Sequence, residues 1–441
     1  MRVFSRTKLI CFAAGVCVLI SIALAGEFLI RTDRPDQRQA GPLLNEIYVW
    51  QRNWDQGLSD AISRAKSRAT NFVMLAAEVS WNNDQPKVVR VGIDFDTVRA
   101  ASKPFGLALR IGPYSGPFDR DGPNAGLLAS LAATLIEDAR QAGVEPTELQ
   151  LDFDCAESKL DGYRKWIEAI AQAAGDIPLT ITALPCWLNN RSFARLARST
   201  QGYVLQVHSL ERPKNSRSAM SICDPASARR WVEKAGRIGV PFRVALPTYG
   251  YLVAFDKDGD FKGLSAEGPS RKWDESMIVR TVNSDPVEMA ELVGQWQADR
   301  PAAMTGLIWY RLPVDSDNLN WRWETLATVM AGQTPVAKLE VAVEYPQPGL
   351  AEIVLVNCGQ VDIAGPAGIE VGCRKSELVA CDGLNGFTFD GGNKDLQIHL
   401  INRAGPQSST IRAGDKWKIG WLRLKDEMEV KAHVMEIAQK N

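Results

Sequence analysis

Over roughly 290 residues the chain alternates short apolar runs with amphipathic helical patterns, and few folds accept that rhythm. The runs read as strands are Glu46–Trp50, Asn71–Ser80, Phe105–Ile111, Glu148–Asp154, Leu179–Leu184, Tyr203–His208, Phe242–Pro247 and Gly306–Arg311. Between and after them lie helical patterns such as Asp55–Arg68, Ala125–Ala142, Leu160–Ala174, Phe193–Ser199, Pro225–Ile238, Pro286–Ala298 and Trp323–Met330. Strands that each lead into a helix build parallel sheets, and eight such units predict a (β/α)8 TIM barrel of the α/β class. An open doubly wound sheet would place a glycine-rich phosphate loop after its first strand, and none stands there.

The rhythm changes after Pro335 to short alternating segments separated by Gly, Pro, Asn and Asp: Lys338–Glu344, Ala351–Asn357, Gly368–Val371, Leu396–Ile401, Ser409–Arg412, Lys416–Leu424 and Glu429–Glu436. Such segments predict a small all-β sandwich over 336–441, following a barrel over 43–335. Residues 27–42 are polar, carry Pro35 and Pro42, and read as a linker. The first 26 residues place Arg2, Arg6 and Lys8 before an apolar run that ends in Ala23-Leu24-Ala25, the pattern of a signal peptide or of an uncleaved membrane anchor. Both imply an exported protein, periplasmic, or held at the inner membrane through this segment alone. Export permits disulfides, but the six cysteines beyond the leader fall three and three, and their pairing is open.

A formal net charge of −1 without a long basic run excludes a nucleic-acid partner. The three histidines are His208, His399 and His433. So few rule out a histidine-rich metal cluster and leave His208 as the one base a serine triad could use. Asp256–Gly263 has the acidic spacing of a calcium loop, yet Phe261 occupies the place of its turn glycine, and a hairpin insertion explains these residues. No metal and no cofactor is expected.

Barrel enzymes build their sites at the C-terminal ends of the strands. In Glu148–Glu157, period-2 alternation points Leu149, Leu151 and Phe153 at the helices and Gln150, Asp152 and Asp154 into the barrel. Two carboxylates on one inward face raise each other's proton affinity, as a general acid requires, unless Arg110 or Arg243 neutralises them. Glu78, Gln206, His208, Tyr249, Tyr251, Tyr310 and Arg311 fall at other strand ends, with Trp50, Trp54, Trp81, Trp187 and Trp309. Aromatic faces stack on sugar rings while carboxylates and amides bind hydroxyls, so this rim predicts a carbohydrate cleft. Trp50, Trp81, Arg110, Trp187, Gln206, His208, Tyr249, Trp309 and Tyr310 are its candidate binding residues.

Leu149-Gln-Leu-Asp-Phe-Asp-Cys155, Val244-Ala-Leu-Pro-Thr-Tyr-Gly-Tyr251 and Gly420-Trp-Leu-Arg-Leu424 resemble a bacterial domain-of-unknown-function family, number 3142, placed with the TIM-barrel glycoside hydrolases. The resemblance spans residues 45 to about 435. A more distant likeness is to family-eighteen glycoside hydrolases, whose fourth strand ends Asp-Gly-x-Asp-x-Asp-x-Glu. Asp152 and Asp154 match that pattern, Ala156 stands where the acid glutamate belongs, and Glu157 falls one residue late. What the resemblance implies is a glycoside-hydrolase-like protein acting on an envelope or extracellular polysaccharide. Asp154 or Glu157 would be its acid, Asp152 would steer or share the proton, and Glu78 would be the second carboxylate. The alternative is an inactive barrel that binds carbohydrate or serves as an envelope scaffold.

Overall fold

The computed structural model describes residues 37–265, 273–372, 378–390, 398–402 and 410–435. The leader and the first part of the linker lie outside the described residues, as do Cys373 and Glu267. Eight parallel strands form a closed barrel: β1 (Leu44–Val49), β2 (Asn71–Asn82), β3 (Phe105–Ile111), β4 (Glu148–Phe153), β5 (Leu179–Ala183), β6 (Gly202–Gln206), β7 (Phe242–Pro247) and β8 (Met304–Tyr310). Each pairs with its sequence neighbours, and β8 pairs with β1 to close the ring. The expected TIM barrel is the observed fold.

Helices α1 (Gln56–Ala65), α2 (Phe95–Ala101), α3 (Pro123–Gln141), α4 (Leu160–Ala174), α5 (Arg191–Arg198), α6 (Pro225–Gly236), α7 (Pro286–Ala298) and α8 (Trp323–Met330) surround it. Their starts are written in the sequence. Asp224 and Asp285 cap α6 and α7 by accepting backbone N–H bonds, and a proline follows each at the first helical position. The helix after β2 had no counterpart among the sequence patterns, because α2 has only seven residues and follows a hairpin strand, Gln85–Arg90.

Alternation along the strands sorts the barrel into two cores. Outward residues such as Phe72, Leu151, Phe153 and Leu205 pack against the helices with Tyr163 and Trp166. Inward residues Tyr48, Trp50, Val73, Leu75, Ala108, Val204, Ala245 and Ile308 fill the interior, so the barrel is plugged below its mouth. At the floor, Arg243 donates to Glu46 and to both oxygens of Glu148, at 2.7 and 2.6 Å, and Thr180 donates to Glu148 at 2.6 Å. Gly106 makes room for this cluster, since a Cβ there would stand 2.6 Å from Cγ of Glu148.

The segment read as linker is in part tied to the barrel floor. Arg38–Gln39 pairs antiparallel with Arg300–Pro301, and Arg38 bridges Glu233 and Asp299 at 2.7 Å each. A free linker forms no such ladder.

The C-terminal region stacks two four-stranded antiparallel sheets. One holds Leu339–Gln347, Leu350–Asn357, Lys416–Leu424 and Leu378–Gly383; the other holds Phe387–Asp390, Ile398–Asn402, Gly368–Gly372 and Lys431–Val434. Ile353, Leu355, Ile419 and Leu422 of the first meet Ile369, Val371, Phe387 and Leu400 of the second in one buried core. Leu378–Gly383 carries no signal in the sequence because exposed residues interrupt its apolar alternation, and Phe387–Asp390 alternates over only four residues, too few to stand out.

Candidate active site

Inward positions at the tops of adjacent strands form a charged row. Glu78 of β2 lies opposite Arg110 of β3, which lies opposite Asp152 of β4. Arg52, in the loop after β1, extends the row by holding Glu78 with two bonds of 2.7 and 2.9 Å. Arg110 is more loosely engaged, 3.5 Å from Glu78 and 4.0 Å from Asp152. The paired guanidinium of Arg52, together with Arg110, holds the Glu78 carboxyl below its ordinary range. Glu78 is therefore an anion engaged by two arginines. The expected neutralising role of Arg243 is corrected: it serves the floor, at the opposite end from Asp152 and Asp154.

Asp152 accepts from Thr182 at 2.9 Å and from Gln206 at 3.1 Å, both on Oδ1. Burial and the neighbouring Asp154 charge push its carboxyl up to about 6, against the opposing pull of those two donors and Arg110. Burial also raises Asp154, with Arg110 opposing. The inward orientation read from period-2 alternation holds, and it produces two acids whose proton affinity is raised, Asp152 up to about 6. Glu157 is not brought to them. Strand β4 ends at Phe153, and Glu157 opens a short 3-10 turn, where its carboxylate accepts from Asn190 at 3.1 Å.

Asp152 and Asp154 line a cavity of about 420 Å³. Its walls include Arg110, Thr182, Gln206 and His208, the rings of Tyr48, Trp50, Tyr249, Tyr251 and Tyr310, and Leu264 from the insertion after β7. Tyr48, Trp50 and Tyr310 meet edge to face, with centroids 5.2–5.8 Å apart. His208 stacks on Tyr310 at 5.6 Å, with Nδ1 3.2 Å from the Tyr249 hydroxyl. Burial lowers its pKa to about 4, so it is a neutral ring at physiological pH and a wall rather than a charge. Tyr48 donates from beneath to Gln150, an inward residue of β4.

The structure gathers Trp50, Arg110, Asp152, Asp154, Gln206, His208, Tyr249 and Tyr310 at one mouth. It leaves four rim tryptophans elsewhere, Trp54 among them, packed against the outer core. Trp187 and Trp309 are fully buried in the outer core, and the Trp309 indole donates to Asn45 at 2.9 Å. Trp309 faces the helices by its parity on β8, whereas Trp187 lies in the 3-10 turn Pro185–Asn189 beyond β5, which tucks it against Phe193. Trp81 packs on Tyr114 and Trp166, outside the cavity wall. Thr182 and Tyr48 carry no signal in the sequence: both sit on inward positions, but neither residue type stands out as chemistry in a strand.

The Asp256–Gly263 segment is a hairpin turn. Asp256 accepts from the backbone N–H groups of Asp258 and Asp260 and pairs with Lys262 at 2.7 Å. Among the described residues no three His, Cys, Asp or Glu side chains converge as metal ligands.

A search of curated proteins finds no match. Among solved structures the chain is similar to the spore cortex-lytic enzyme SleL of Bacillus cereus, at 10% identity and TM-score 0.48, over 67% of this chain and 75% of that one. It is also similar to a chitinase from Chromobacterium violaceum, at 13% identity and TM-score 0.44, over 66% and 98%. A third similarity is to the family-eighteen chitinase ChiB of Flavobacterium johnsoniae, at 11% and 0.42, over 66% and 94%. Residues 340–425, which include the Gly420–Leu424 motif, match a separate family of unknown function, DUF8456. Residues 121–315, from just before α3 through β8 and including both barrel motifs, match the family described as Domain of unknown function (DUF3142), so the similarity expected over residues 45 to about 435 is matched by that family over this narrower stretch.

Proposed function

We propose that the protein is an exported glycoside hydrolase that cuts an envelope or extracellular polysaccharide at the barrel mouth, working in the periplasm or held at the inner membrane by its N-terminal segment. The observation that carries this reading is the Asp152–Asp154 pair, two carboxyls of raised proton affinity in an aromatic-walled cavity. Asp154 is the more open to the cavity and is the donor; Asp152, fixed by Thr182 and Gln206, keeps the pair partly protonated. Asp154 gives its proton to the glycosidic oxygen, which takes the electron pair of the breaking C–O bond. Water adds at the anomeric carbon, and its released proton restores the pair. Tyr249, Tyr251 and Tyr310 offer ring faces to the sugars, and Gln206 and Arg110 bind hydroxyls.

Purified protein incubated with a panel of polysaccharides tests this. Wild type releases reducing ends, release falls as pH rises beyond about 6 because Asp152 then loses the proton it passes to Asp154, and Asp154→Asn lowers kcat by about a hundredfold or more. Cleavage that survives Asp154→Asn overturns the assignment. A second reading rests on Ala156, which puts a methyl group where family-eighteen enzymes carry their acid, while Glu157 is turned to Asn190. On that reading the barrel binds glycan without cutting it, and retention on a glycan array without product release supports it.

A further inference from the structure

The sandwich touches the barrel at the loop that follows β8, residues 311–322, and this contact leads to the cavity. Arg412 lies on the sandwich side with its side chain only 13% exposed. Its Nη2 donates to the carbonyls of Asp317 and Asn320 at 2.9 and 2.7 Å, and its Nη1 to the side chain of Asn318 at 3.3 Å. Those are the outward-facing acceptors of a loop whose other edge is zipped to the chain after β7. Leu319 accepts from the Gly250 N–H at 2.5 Å, the Trp321 N–H donates to Thr248 at 2.8 Å, and Tyr249 bridges antiparallel to Asn320. Tyr249 is the residue that this zipper carries into the cavity, where its hydroxyl meets His208 and Tyr251 at 3.2 and 3.3 Å.

We infer that Arg412 is a positioning residue for the barrel mouth, and that the sandwich acts as a brace setting the Tyr249 wall through the 317–320 loop. One planar guanidinium holding three acceptors on a single turn fixes that turn's orientation in a way that a lone contact does not. Two other ties cross the same interface, Arg322 to Asp415 at 3.2 Å and Thr325 to the Gln360 carbonyl at 2.5 Å. Arg322 caps α8 at the end of the loop, while Thr325 lies inside α8 beyond the zipped stretch and serves as the internal control.

Hydrogen exchange followed by mass spectrometry on the full chain is the test. Arg412→Ala speeds exchange in peptides covering 248–251 and 317–321 by about tenfold or more, whereas Thr325→Val leaves both at wild-type rates. Arg412→Lys, which keeps the stem and one cationic donor, gives an intermediate acceleration and serves if the alanine variant does not fold. Wild-type exchange in the arginine variants, or equal acceleration by Thr325→Val, overturns the brace. A second readout rests on the hydrolase reading: Arg412→Ala raises KM by about threefold or more with little change in kcat, the reverse of Asp154→Asn. Absence of cleavage by wild type sinks the hydrolase reading, while the exchange data still decide the role of Arg412.

Discussion

Asp152 pays for its position in stability. Its folded carboxyl titrates near 6, above the unfolded value near 4, so the native state is penalised as pH rises through that window and unpenalised below it. Asp152→Asn keeps an acceptor for Thr182 and Gln206 and removes the ionisation. The variant is expected to gain about 2 kcal/mol at pH 8 and nothing at pH 3.5, read from urea unfolding at the two values. An equal gain at both would mean that the side chain is limited by packing rather than by charge. The inward aim of this residue was legible from sequence parity alone. Its proton affinity was not, because that depends on Thr182, Gln206 and Arg110, which arrive from three other strands.

Among the elements, the barrel strands were legible because their apolar parity and bounding caps are local properties. The short α2 and the two hairpin strands of the sandwich were not, since their placement depends on what they pack against. The floor shows the same limit. Glu46, Glu148 and Arg243 look unremarkable on β1, β4 and β7, and only ring closure brings them together. Burial there is offset by Arg243, which keeps Glu148 ionised, whereas Glu46 is raised by desolvation despite the same partner. Arg243→Met is expected to cost about 3–5 kcal/mol at pH 7, because it strands two buried carboxyls. The loss shrinks toward pH 4 as they protonate, and denaturant midpoints at both pH values measure it. A loss independent of pH would point to packing instead.

For the whole molecule, the division into a barrel and a following sheet-rich region can be read along the chain, but not the way the sandwich engages the mouth. Among the described residues Cys155, Cys186, Cys223, Cys358 and Cys381 form no disulfide with one another, and Cys373 lies outside the described residues. Cys155 and Cys223 are buried, and burial pushes each thiol up to about 12. Iodoacetamide is therefore expected to label exposed Cys186 before buried Cys155 and Cys223, and thermal unfolding of Cys373→Ser to show the same midpoint with and without a thiol reductant. A midpoint lowered by reductant would reveal a stabilising bridge.

The sequence by itself determined the eightfold strand–helix rhythm, the change of pattern after Pro335, and the inward aim of Asp152 and Asp154. Each of these follows from periodicity within a single segment. Tertiary structure decided the rest: that Glu78 is locked by Arg52, that Trp187 and Trp309 belong to the core, that Glu157 turns away, and that Arg412 reaches the wall of the mouth. These depend on distances between segments tens to hundreds of residues apart. Parity tells which side of a strand a residue faces, and only the closed barrel tells what it meets there.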